Sequence, residues 1–286
     1  MNLFDTHAHV NFNAFKDDGE DVLRRCFESG MNVVNVGSQY STSKRAVEYA
    51  RKFERGIYAA IGIHPVHLKK GSFTHKDPDE LTEEEIPTTG EQFDYGKYLA
   101  LAKHEKVVAI GEIGLDYHHF EEGEDIEYLK KMQKETLIRF IDLANEVQKP
   151  VMLHCWDGYD DLLDMLTKYP VAKKGIVHSF IGSYKTARKF IELGYAIGLN
   201  GIITYGDSYD RLIREIDLRH IVIETDCPYL TPRPLEKRLR NQPQFVCEVA
   251  EKIAHIKNIT VDAVAHDTME NAKRILLPSQ VMEVVV

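Results

Sequence analysis

The chain has 286 residues, of which 43% are hydrophobic and 28% charged, a balance that can bury a large core and excludes the disordered and fibrous classes. Its formal net charge of −9 excludes a global electrostatic grip on nucleic acid. Any phosphate recognition has to be local, and bound divalent cations could supply its positive charge.

The longest apolar runs, such as 107–110 and 221–223, are far too short to span a bilayer. A cytoplasmic protein with no membrane partner is expected. Cys26, Cys155, Cys227 and Cys247 form no C-x-x-C pair, which fits a reducing compartment.

Short β-branched runs alternate with amphipathic stretches along the whole chain. Strands are expected at 3–6, 32–36, 58–63, 107–112, 151–154, 175–178, 196–200 and 221–224. Helical periodicity falls between them, for example at 21–29, 43–53, 127–147, 160–168, 185–193 and 209–216. Eight strands, each followed by a helix, point to an α/β protein with a closed (β/α)₈ TIM barrel rather than an open doubly wound sheet. A G-x-G-x-x-G fingerprint after the first strand is also missing. Two regions break the rhythm. The acidic stretch at about 69–96 reads most simply as a solvated excursion, with a lid over the site as the minor reading, and 244–257 and 261–277 read as terminal helices on the outside of the barrel. The expected organisation is one barrel domain over 1–286.

Chemistry in such a barrel gathers at the C-terminal ends of the strands, where the βα loops converge. His7 and His9 close the first strand, two residues apart and therefore on one face. Glu112 closes the fourth strand, His154 the fifth, His178 the sixth and Asp226 the eighth. Four imidazoles and two carboxylates suit two divalent ions about 3.5–4 Å apart, which activate water and neutralise charge on a phosphoryl or carbonyl oxygen. His64, in Gly62-Ile63-His64-Pro65, ends the third strand and is read as a substrate-binding residue or a support behind the ligands, with a merely solvent-facing histidine as the alternative. Glu224 lies two residues before Asp226 on the same face and is a candidate acid behind the ligands. His118 and His119 are expected to be exposed, and His67 is given no role. Phe12, Tyr117, Trp156, Tyr159, Phe180 and Tyr229, in the βα loops, are the aromatics that could stack bases.

At these residues the chain resembles the TatD family of metal-dependent deoxyribonucleases, within the amidohydrolase-like barrels. The blocks that carry the resemblance are Asp5-Thr6-His7-Ala8-His9, Gly62-Ile63-His64-Pro65, Gly111-Glu112-Ile113-Gly114-Leu115-Asp116, His178-Ser179-Phe180-Ile181-Gly182 and Glu224-Thr225-Asp226-Cys227-Pro228-Tyr229-Leu230. Arg240-Asn241-Gln242-Pro243 and Glu270-Asn271 within 268–275 follow in the same order. The resemblance implies a binuclear site: His7, His9 and Asp226 on one metal, His154 and His178 on the other, and Glu112 bridging. It also implies that Asp226 takes the proton of the attacking water, that the metals are magnesium, manganese or zinc, and that DNA is degraded from 3′ to 5′, with single-stranded ends as the expected partner. Two features depart from the family pattern. Trp156 stands where an arginine is usual, and the insertion at 69–96 is longer than usual.

Two other readings use the same residues. One is a metal-dependent hydrolase of a different ester or amide, such as an aminoacyl-tRNA or a small-molecule amide, since the same centre polarises carbonyls. The other is a non-catalytic binding protein on the same barrel, which is disfavoured because no ligand position is lost.

Overall fold

The computed structural model describes residues 2–75, 84–235 and 239–277. Ten strands occur among them: β1 (Phe4–Ala8), β2 (Asn32–Val36), β3 (Ile57–Ile61), β4 (Lys70–His75), β5 (Glu84–Thr89), β6 (Val107–Asp116), β7 (Val151–Trp156), β8 (Gly175–Val177), β9 (Ala196–Leu199) and β10 (Ile221–Ile223). All but β4 and β5 form one parallel sheet in the order β1-β2-β3-β6-β7-β8-β9-β10. Its first and last strands meet through Thr6 Oγ1 donating to Ile223 O (3.2 Å). Beyond β10, Asp226 N donates to His7 O and His9 N to Cys227 O, both at 2.8 Å. The buried Asp5 carboxyl adds a latch, accepting from Thr225 N (2.9 Å) and Thr225 Oγ1 (2.6 Å). The architecture is the (β/α)₈ TIM barrel that the alternation of periods predicts.

Helices α1 (Gly19–Glu28), α2 (Tyr40–Ala50), α3 (Tyr95–Ala102), α4 (Ile126–Val147), α5 (Tyr159–Lys168), α6 (Tyr184–Glu192), α7 (Asp210–Glu215), α8 (Val246–Lys257) and α9 (Val261–Leu276) follow the strands. The longest, α4, starts where Asp125 accepts from Tyr128 N (3.1 Å) and buries Leu129, Gln133, Leu137, Phe140, Ile141 and Ala144 on one stripe. No helix among the described residues is long and apolar enough to cross a membrane.

Strand alternation divides the core in two. Val33, Ile57, Ile61, Val151, Leu153, Ile197, Leu199, Ile221 and Ile223 face the helices. Phe4, Val34, Val36, Ala60, Val108, Met152, Ile176, Ala196 and Val222 fill the interior, where Met269, Ala272 and Leu276 of α9 join them. Thus α9 closes the base of the barrel. Asn271 pins it there, its buried amide donating to Leu218 O (2.8 Å) and Ile221 O (2.9 Å). With the base sealed by hydrocarbon, the polar residues that the same strands carry are confined to the opposite end.

Within the segment at 69–96, residues 76–83 lie outside the described residues, and the described parts on either side differ from the solvated excursion expected of their composition. Here β4 and β5 form an antiparallel hairpin, pairing Lys70 with Thr89 and Ser72 with Pro87. Both ends are fastened. Lys69 Nζ meets Glu124 Oε1 at 2.6 Å, and the Glu91 carboxylate accepts from Tyr40 N (3.0 Å) and Tyr98 Oη (2.7 Å). Glu85, Ile86 and Pro87 form part of the wall of the cavity at the barrel mouth. A run of Glu, Pro and Thr lacks the apolar alternation that marks a strand, so composition alone gave no warning of the pairing.

The interior layer makes Phe4, which is 1% exposed, a stability determinant remote from the mouth. Phe4→Ala is expected to cost about 3–5 kcal/mol in urea unfolding. Truncating Ile259, which is 42% exposed, should cost less than about 0.5 kcal/mol. Equal losses would contradict the assignment of Phe4 to the barrel interior.

Candidate metal centre

The barrel mouth gathers ligand-type side chains from six strands or the loops that directly follow them. Register shifts in β1 between Asp5 and Ala8, and in β6 between Ile110 and Ile113, mark bulges at both ligand-bearing segments. Because of the first, Thr6 reaches the interior to meet Glu224 (3.3 Å) while His7 and His9 beyond it also turn inward. The second presents Glu112, and Gly62 leaves room for it, since a Cβ there would lie 2.4 Å from Glu112 O. His178 directly follows β8, and Asp226 lies three residues past β10 with φ of 59°. Both therefore sit in βα loops rather than inside the strands predicted to end with them.

The six residues converge in two groups. His7 Nε2 and His9 Nε2 are 3.1 Å apart, and Asp226 Oδ1 lies 3.7 and 3.3 Å from them. His154 Nδ1 and His178 Nε2 approach Glu112 Oε1 at 3.1 and 2.7 Å. The other Glu112 oxygen, Oε2, is 3.5 Å from His7 Nε2 and 3.8 Å from His9 Nε2. One buried carboxylate thus faces both groups. His64 Nε2 is 3.4 Å from Glu112 Oε1, so His64 stands beside the second group.

Three of the four imidazoles have a polar group behind them. His9 Nδ1 meets Val36 O at 2.9 Å. His178 Nδ1 lies 3.6 Å from Glu224 Oε1, and Glu224 also accepts from Ser179 N. Gly198 gives that carboxylate its space, because a Cβ there would fall 2.6 Å from Glu224 Oε2. His154 Nε2 is 3.1 Å from Asp116 Oδ2, which His119 Nδ1 approaches at 2.8 Å. Such oriented histidines are the usual setting of metal ligands. The parity that places Glu112 on the inner face places Asp116 there too, four residues along the same strand, yet sequence reasoning gave Asp116 no separate role.

Charge in this pocket is set by burial and close partners. Burial alone would raise Glu112, but His178, His64 and the hydrogen-bonded His154 hold its carboxyl well below the usual carboxylate range. Asp226 is likewise held low against burial by His9, His7 and His178. Burial disfavours charge on His154, yet its bonds to Asp116 and Glu112 push it up to about 9. Burial and His154 bring His64 well below the ordinary histidine value, which keeps it neutral. Anionic carboxylates packed against imidazoles at 2.7–3.8 Å, with His7 Nδ1 buried and unpartnered, suit borderline or hard divalent cations.

The cavity above the centre measures about 410 Å³, within the range of small-ligand sites. Of the aromatics considered for base stacking, Phe12, Trp156 and Tyr229 line it. Phe180 instead lies in the core, 1% exposed, and Tyr159 packs on it. Trp156 lies parallel to His118, with ring centroids 4.0 Å apart and 10° between planes, and edge-on to His119. His118 is about half exposed, held by Asp157 at 3.1 Å, but His119 is mostly buried against Asp116. His119 and His67 both line the cavity, positions that their loop context did not reveal.

The chain is similar to known proteins over nearly its whole length. The profile of the family described as TatD related DNase matches residues 4–277. The chain is 38% identical to an uncharacterized metal-dependent hydrolase, YabD, of Bacillus subtilis strain 168, covering 96% of this chain and 98% of that protein. It is 29% identical to a putative deoxyribonuclease TATDN1 homolog of Vairimorpha ceranae, over 94% and 93% of the two chains. The crystal structure of YjjV, a TatD homolog from Escherichia coli K12, superposes with a TM-score of 0.80 at 27% identity, covering 96% of this chain and 98% of that one. A whole-chain profile match, the close Bacillus relative and the His/Glu/Asp cluster at the mouth of the barrel lead to one conclusion: the chain belongs to the TatD family of metal-dependent hydrolases.

Proposed function

We propose that the protein is a phosphodiesterase that trims single-stranded DNA ends from the 3′ side, with two divalent cations, magnesium, manganese or zinc, as its cofactor. The observation that supports this most is the division of Glu112, one oxygen toward His7 and His9 and the other toward His154 and His178. On this reading His7, His9 and Asp226 would hold one cation and His154 and His178 the other, with Glu112 shared between them. When bound, such cations activate water and neutralise charge developing on the phosphoryl oxygens. The chain's own residues do the rest. Asp226, ionised and with its side chain 15% exposed, accepts the proton of the attacking water. His64, kept neutral by burial, contributes a hydrogen bond to the substrate. Trp156, backed by His118, stacks the base of the terminal nucleotide.

The acidic Glu85 on the cavity wall favours a second reading, hydrolysis of another ester or amide such as an aminoacyl-tRNA. A panel of single-stranded DNA, duplex DNA, RNA and aminoacyl-tRNA, each with Mg²⁺, Mn²⁺ and Zn²⁺, separates the two. Fastest turnover of single-stranded DNA, with mononucleotides released from the 3′ end, is expected. Turnover of the aminoacyl ester alone would overturn the nuclease reading.

Replacing Asp226 with asparagine should lower kcat by about 10²- to 10⁴-fold without loss of fold, because an amide cannot accept a proton. A variant that keeps most of its kcat would place the base elsewhere. For Trp156→Ala, KM on single-stranded DNA should rise by the equivalent of about 1–3 kcal/mol of lost stacking. Lower thermal stability with an unchanged KM would instead mark Trp156 as packing only.

A further inference from the structure

The cavity that holds so many imidazoles and carboxylates has, among the described residues, a single lysine or arginine in its lining, Arg45. It stands on α2 and is half-buried. Its Nη1 donates to Asn11 O (2.8 Å) and, more weakly, to Asn13 Oδ1 (3.3 Å). No carboxylate pairs with it among the described residues, whereas its neighbour Lys44 lies 3.7 Å from Glu48 on the same helix. Neutral oxygens thus fix the direction of the guanidinium and leave its charge uncompensated beside a cleft. A half-buried cation in that position is complementary to an anion that arrives with the substrate.

The placement also fixes which anion. Asn11 follows His9 by two residues, at most about 7 Å along the chain. Its Nδ2 donates to Val36 O (3.0 Å), the same carbonyl that His9 Nδ1 meets at 2.9 Å. Arg45 is therefore fastened to the segment that carries a proposed ligand, and it lines the same cavity as the ligand cluster. Ser41 and Gln39 line the cavity next to it and can add neutral hydrogen bonds. Resting on the phosphodiesterase reading, we infer that Arg45 forms a second anion subsite, which grips the phosphate adjacent to the scissile one. Two charges one nucleotide apart are then needed for full affinity, and the site discriminates nucleic acid strands from esters that carry a single anionic group.

Calorimetric titration of the Mg²⁺-loaded full chain with thymidine 3′,5′-bisphosphate and thymidine 5′-monophosphate tests this without relying on turnover. The wild type should bind the bisphosphate more tightly. In Arg45→Gln that advantage should shrink about tenfold or more, the worth of one charge-assisted bond to phosphate, and Arg45→Lys should recover part of it. An advantage that is the same in wild type and Arg45→Gln overturns the subsite. So does equal weakening of both ligands together with a lower melting temperature, which would make Arg45 a fastener of the loop at 11–13. A wild type that binds neither ligand overturns it as well. Failure of the nuclease reading appears separately, as absence of DNA cleavage in the substrate panel.

Discussion

A carboxylate taken out of water among five imidazoles is the constraint on which the rest of this barrel depends. Glu112 is 3% exposed, and a buried anion is tolerated only when partners return what solvation gave. The bulge in β6 presents it, the bare Cα of Gly62 leaves space behind it, and His7, His9, His154 and His178 reach it from β1, from β7 and from the loop after β8. Removing any of these imidazoles leaves the charge less compensated. The mouth of the barrel is therefore a single electrostatic unit, and the strands around it must hold register to within fractions of an ångström.

The rest of the molecule serves that requirement. Below the centre, Phe4 and its interior neighbours are sealed by Met269, Ala272 and Leu276 of the last helix, so the sheet cannot relax inward. Behind the centre, Val36 O, Asp116 and Glu224 aim the ligand rings, a shell whose loss degrades metal affinity as surely as loss of a ligand. Above it, the hairpin and Trp156 narrow the opening. The electrostatics of recognition are local for the same reason. A chain of net charge −9 has no attractive long-range field for DNA, so on the proposed reading affinity would come from cations inside the pocket and from Arg45.

Most of the barrel was legible because its strands are β-branched runs of ordinary length and its helices carry apolar stripes. The clustering of six ligand-type residues was legible because each stands at or just past the end of an apolar run. What escaped notice did so for physical reasons. The hairpin is paired through a backbone whose side chains are polar, and polarity reads as loop. His67 looks like any loop histidine until the chain folds it under the hairpin, where it is 6% exposed. Arg45 sits among Lys44 and Glu48 on an amphipathic helix, where a charge normally faces solvent; only the tertiary placement of α2 beside Asn11 brings it to the cavity. Phe180 shows the converse, an aromatic in a βα loop that the packing of Tyr159 and Phe190 draws into the core.

Whether one carboxylate joins two cations is the claim on which the proposed chemistry rests, and metal stoichiometry measured by elemental analysis after reconstitution addresses it directly. With Mg²⁺, Mn²⁺ or Zn²⁺ in excess, the wild type should retain two ions per chain, and Glu112→Gln should lose both affinity and the second ion while the fold, followed by circular dichroism, persists. A wild type that never exceeds one ion with any of the three metals would contradict the binuclear account.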